Sequence, residues 1–178
     1  MSHNVVSVNS NQPDLSGVIS SPTVYSEIRI GGGNLSGDYD QSQASALNNA
    51  TLEFYDPSPT NNISNSTITS SSGWISSVTL PVGTYILEAA FALTFSASGQ
   101  FSFQWYDGTT SRGTRAQIGG ALSHSTESAS PTATLCCTLT SSTTFSVKST
   151  SGSTNLNTVA NQGSNCSEQS YIRIRKFS

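Results

Sequence analysis

Hydrophobic and polar positions alternate most cleanly over residues 83–95. Tyr85, Leu87, Ala89, Phe91, Leu93 and Phe95 share one side of an extended segment, because successive strand side chains point to opposite faces. The other side carries Thr84, Ile86, Glu88, Ala90, Ala92 and Thr94. A strand facing open water normally carries long polar groups there. Small, mildly polar residues instead predict a strand covered twice, by a core and by a second surface.

The same period of two recurs in shorter runs separated by turn residues. Residues 51–55 alternate until Asp56-Pro57-Ser58-Pro59 stops them, and 60–72 reads as a Ser/Thr/Asn loop. Trp74, Val78 and Leu80 share a face before the turn at Pro81-Val82-Gly83. Phe101, Phe103 and Trp105 alternate with Ser102, Gln104 and Tyr106 up to Asp107-Gly108. A short strand is expected over 114–118, then a polar loop over 121–131. Leu135 and Cys137 place a strand at 132–140, Phe145 and Val147 one at 143–149, and Ile172 and Ile174 the last at 171–177. No stretch has a period of 3.6. The pattern predicts an all-β, two-sheet jelly-roll sandwich of about eight to ten strands.

Residues 1–48 are weakly patterned and read as an N-terminal arm preceding a jelly-roll domain at 49–178. The arm holds Val5, Val6 and Val8, then Val24, Ile28 and Ile30, and breaks at Gly31-Gly32-Gly33. These six apolar residues are the expected partner-binding positions, ordered mainly by what they bind.

Composition narrows the function. Charged residues make up 10% of the 178, with a net charge of −3, against about a quarter in ordinary domains. Ser and Thr supply the polar surface, as in β-rich extracellular or virion-exposed proteins. Scattered basic residues and a negative balance argue against nucleic acid. No apolar run approaches the ~20 residues of a membrane span, and the first residues lack the basic and apolar regions of a secretory signal. Cys136 and Cys137 are adjacent in a strand and point to opposite faces. Cys136 and Cys166 pair only if their strands neighbour one another, so free thiols are the default.

Residues 74–87 (Trp-Ile-Ser-Ser-Val-Thr-Leu-Pro-Val-Gly-Thr-Tyr-Ile-Leu) resemble a strand–turn–strand of the tumour-necrosis-factor-like and complement globular-head superfamily. There a Pro/Gly turn leads into Gly-x-Tyr and a long central strand. The closing run 170–177 is similar to that superfamily's terminal strand, which begins with Tyr. The family's Phe near the centre of the closing half is not clearly matched. The resemblance implies a compact homotrimer with one sheet facing the three-fold axis. Taken in family order, 51–55, 170–177, 83–95 and 132–140 build that sheet. The axis side is then Ile86, Glu88, Ala90 and Ala92, with Tyr171, Arg173 and Arg175 on the neighbouring strand. Glu88 is expected to meet an Arg of that strand as an ion pair at the subunit interface.

Catalytic chemistry is hard to find. His3 and His124 are the only histidines, and His124 sits in a polar loop without a second imidazole or a nearby Cys at ligand spacing. Asp38 and Asp40 read as a solvated turn, lacking the further oxygen donors of a calcium loop. Gly31-Gly32-Gly33 does not continue as a phosphate loop. Sequons occur at Asn34, Asn49, Asn62, Asn65 and Asn165, as expected in a chain so rich in Asn, Ser and Thr. The sequence therefore predicts a protein without enzymatic activity, cofactor or metal. The expected role is a trimeric capsid cement, decoration or minor capsid protein on a virion surface, its arm holding the major capsid protein or another virion component. The alternative is a receptor- or glycan-binding head of a fibre or extracellular surface protein, contacting its ligand through loops 107–131 and 150–169 with Trp105, Tyr106 or Asp107 as candidates. Of these, Trp105 shares the expected core face with Phe101 and Phe103, and Tyr106 is the free one.

Overall fold

The computed structural model describes residues 26–31, 51–90, 94–95, 99–120, 132–151, 156–157 and 170–177. Every regular element among them is a strand, and the strands form two antiparallel sheets packed face to face, as a jelly-roll sandwich requires.

The first sheet has five strands, in the order β11 (Ala133–Leu139), β7 (Gly83–Ala90), β14 (Tyr171–Lys176), β1 (Ser26–Gly31) and β4 (Thr60–Asn61). Its central register sets Glu88 opposite Arg173 and Ile86 opposite Arg175. The second runs β10 (Ser111–Gly120), β9 (Gly99–Tyr106), β12 (Thr143–Ser151), β6 (Trp74–Leu80) and β3 (Phe54–Tyr55). β2 (Thr51–Leu52) adds to β12 and β5 (Thr67–Ser71) to β6, while β8 (Thr94–Phe95) and β13 (Leu156–Asn157) form a separate pair.

The inward side chains of both sheets make one core. Ile28, Ile30, Val78, Leu80, Tyr85, Leu87, Phe103, Trp105, Leu135, Phe145, Val147, Ile172 and Ile174 are all buried in it, and Cys137 packs against it half-buried. Two buried polar groups find partners: the Tyr85 hydroxyl donates to Pro81 O at 2.8 Å, and Trp105 Nε1 donates to Ala133 O at 3.1 Å. Phe91, Leu93, Ala92, Val5, Val6, Val8 and Val24 lie outside the described residues, as do the side chains of Phe95 and Phe101.

Three expectations need correction. Ile28 and Ile30 are not free arm positions: both are fully buried, and their strand pairs with β14 along its whole length. The run 51–55 does not join the first sheet. It splits into β2 on β12 and β3 on β6, and β1 takes the place beside β14. The deciding signal is a repeated triplet, since Ile28-Arg29-Ile30 matches Ile172-Arg173-Ile174 and the two pair in antiparallel register. Finally, Trp74 is only half-buried and Ile75 occupies the core. A bulge explains this. Thr69 pairs with Ser77 but Ser70 pairs with Ile75, so Ser76 is an extra residue in β6. One inserted residue reverses the alternation, and Trp74 comes out on the far face.

Candidate functional site

The outer face of the five-stranded sheet carries three rows across the strands. The first is Cys136, Ile86, Arg175 and Glu27; the second Thr134, Glu88, Arg173 and Arg29; the third Ala90, Tyr171 and Gly31. Arg29 and Arg173 stand directly opposite each other, a like-charge pair that is unfavourable alone. Two carboxylates compensate. Glu27 Oε2 accepts from Arg29 Nε at 2.6 Å, and Arg175 bridges Glu27 at 3.7 Å and Glu88 at 3.4 Å. The Glu88 partner is thus Arg175 on the diagonal, and the pair lies within one chain. Arg173 is exposed and lies over the Tyr171 ring at 5.3 Å. Ala90 is buried, and Ile86 and Glu88 are half-buried. The sequence reading missed Glu27 and Arg29 because it assigned them to the arm.

One end of this face is apolar. Phe177 N donates to Thr84 O at 2.9 Å, extending the β14–β7 register by one residue. Phe177 is 44% exposed, and Val82, two residues before Thr84, is 57% exposed.

On the outer face of the seven-stranded sheet, β3 and β6 bring Tyr55 opposite Trp74. Their rings meet edge to face, centroids 5.0 Å apart at 62°. Both are half-buried, so each presents part of an aromatic surface with a polar edge. Gly73 makes the pair possible: with φ at +85°, a side chain there would stand 2.9 Å from the Tyr55 ring. Elsewhere on this face Lys148 Nζ lies 3.9 Å from the Tyr106 ring centre.

The ligand contacts expected from sequence are already engaged. Trp105 is fully buried. Asp107 closes its own turn: Oδ1 accepts from the Thr109 and Thr110 amides at 3.0 and 2.8 Å and from the Thr109 hydroxyl, and Oδ2 accepts from Arg112 Nε at 2.6 Å. The Thr110 amide above all, with the Thr109 and Arg112 donors, holds this carboxyl well below the usual range despite some desolvation.

A groove of about 670 Å³ opens where β11 meets the start of β10 and β12, lined among others by Asp107, Arg112, Cys136, Thr138, Thr143 and Phe145. Cys136 is exposed and Cys137 half-buried, both as free thiols. Burial first, and Cys136 second, push the Cys137 thiol up. No group of three or more His, Cys, Asp or Glu side chains among the described residues is placed to hold a metal. Among the described residues no helix is long and apolar enough to cross a membrane.

No family model and no curated protein matches the chain. Among solved structures it is similar to a carbohydrate-binding module, CBM6cm-2 from Cellvibrio mixtus lichenase 5A, in complex with cellotriose. The two share 18% identity over 83% of this chain and 95% of that one, with a TM-score of 0.31.

Proposed function

We propose that this chain is a receptor- or glycan-binding head of a fibre or surface protein, non-enzymatic and assembled as a homotrimer. The observation that carries the reading is the half-exposed Tyr55–Trp74 pair on the outer face of the seven-stranded sheet. A sugar ring has an apolar face bordered by hydroxyls. An aromatic pair with polar edges, set in a surface of Ser and Thr hydroxyls, matches both. The opposite sheet supports assembly: its outer face holds small residues, a half-buried Ile86, and three arginines against two glutamates. Such a nearly balanced surface suits a second copy of itself.

A glycan array tests the reading. The intact chain is expected to give a signal on a subset of glycans, and Trp74→Ala to weaken it at least tenfold while the far-ultraviolet circular dichroism stays unchanged. Absence of signal from the intact chain, or full binding by the variant, sinks the glycan assignment.

A second reading, a capsid cement or minor capsid protein on a virion, draws on the apolar end formed by Val82 and Phe177. A trimer would bring three such patches together at one pole, where a shell protein would seat. Co-sedimentation with particles in the absence of a glycan signal favours that reading.

A further inference from the structure

Among the described residues, β11 is an edge strand, paired with β7 on one side only. Its first outward-facing residue is already covered. Thr134 N donates to Thr114 Oγ1 at 2.9 Å, and Thr114 Oγ1 donates to Thr134 O at 3.2 Å. Gly113 approaches so closely that a side chain there would collide with Thr134 O. Both backbone groups of Thr134 therefore face away from β7. Outward and inward residues alternate in an antiparallel ladder, so the backbone of Cys136 and Thr138 faces away as well. These two residues line the 670 Å³ groove.

Beyond Thr134 the edge is unprotected by sequence: 133–139 contains no charged residue and no proline. Leu139 and Cys137 stay half-buried on its inner side, packed against the core, and line the same groove as Phe145. An added strand would cover them if it were uncharged, with apolar side chains at alternate positions and small ones between.

We infer that the edge of β11 at Cys136–Thr138 is completed by strand addition, and that the occupant is the chain's own segment Val5-Val6-Ser7-Val8. Val6 and Val8 would face inward over Cys137 and Leu139, and Val5 and Ser7 outward beside Cys136 and Thr138. Reach is no obstacle. β1 lies three strands from β11, about 14 Å at the usual strand spacing. The residues between Asn9 and Ser26 span several times that when extended, at about 3.3 Å each. The segment reaches β11 of its own chain or of a neighbouring copy, and backbone hydrogen bonds supply the affinity either way. This inference does not depend on what the head binds.

Hydrogen exchange on the full chain tests it. The Cys136 and Thr138 amides are expected to exchange at least 100-fold more slowly in the intact chain than in a Val6→Asp/Val8→Asp variant, with β7 amides protected equally in both. Fast exchange in the intact chain, or protection unchanged in the variant, overturns the inference. An independent readout covers a variant that fails to fold. In a Cys166→Ser background, Val5→Cys is expected to form a disulfide with Cys136 on mild oxidation, located by peptide mapping. Its absence under conditions that oxidise both thiols counts equally against the inference.

Discussion

At Gly31 the chain turns with φ at +68° just where β1 ends against the start of β14. A methyl group there would collide with the Ser170 carbonyl oxygen, and the Gly31 amide donates to Asp56 Oδ2 at 2.9 Å. Gly108 has a similar φ of +91° but open space around it. The pair separates strain from collision. Gly108→Ala is expected to cost only the left-handed strain of an alanine, about 1–2 kcal/mol. Gly31→Ala is expected to cost clearly more, because backbone rather than a flexible side chain has to move. Urea denaturation of both variants checks this, and equal losses would contradict it. From sequence, Gly31 was legible as a breaker and Gly108 as a turn. The collision was not, because Ser170 lies at the other end of the chain.

At the scale of elements, the decisive question is where β1 belongs. Its alternation of Glu27, Ile28, Arg29 and Ile30 is as clean as that of β14, yet its weakly patterned surroundings favoured an arm. Pairing settles it. Ile28 meets Ile174, Ile30 meets Ile172, and all four are buried. Ile30→Ala is therefore expected to destabilise the protein by about 2–5 kcal/mol, as for a core isoleucine. A loss under about 0.5 kcal/mol in chemical denaturation would return β1 to the arm. For the same reason a chain starting at residue 49 would lose a core strand along with any arm. β6 teaches the opposite lesson. Its alternation looked regular, but one bulged residue exchanged Trp74 for Ile75 in the core and delivered an aromatic pair to the surface.

For the whole molecule the two sheets present unlike outer faces. One bears the Glu27–Arg29–Arg175–Glu88 network with small neighbours, the other the Tyr55–Trp74 pair and a polar surface. An arrangement with the first face inside and the second outside suits a trimer displaying three binding surfaces. Light scattering on the full chain is expected to give three times the 18.6 kDa chain mass. Ile86→Arg, which adds a further positive charge to a face already holding three arginines, is expected to give monomers. A monomeric intact chain would remove both the interface and the resemblance that suggested it.

Alternation and turn residues alone determined the all-β class, the two-sheet sandwich and most of its core, because a period of two records which side of each strand is wet. The same period marked the small outer face of 83–90 before any partner strand was known. Only the tertiary structure decided which strands are neighbours, since pairing joins residues as distant as Ile28 and Ile174 and no local pattern encodes it. It also decided where alternation slips, because a bulge is set by the partner strand's register. That slip turned Trp74 from an expected core residue into the surface half of the Tyr55–Trp74 pair.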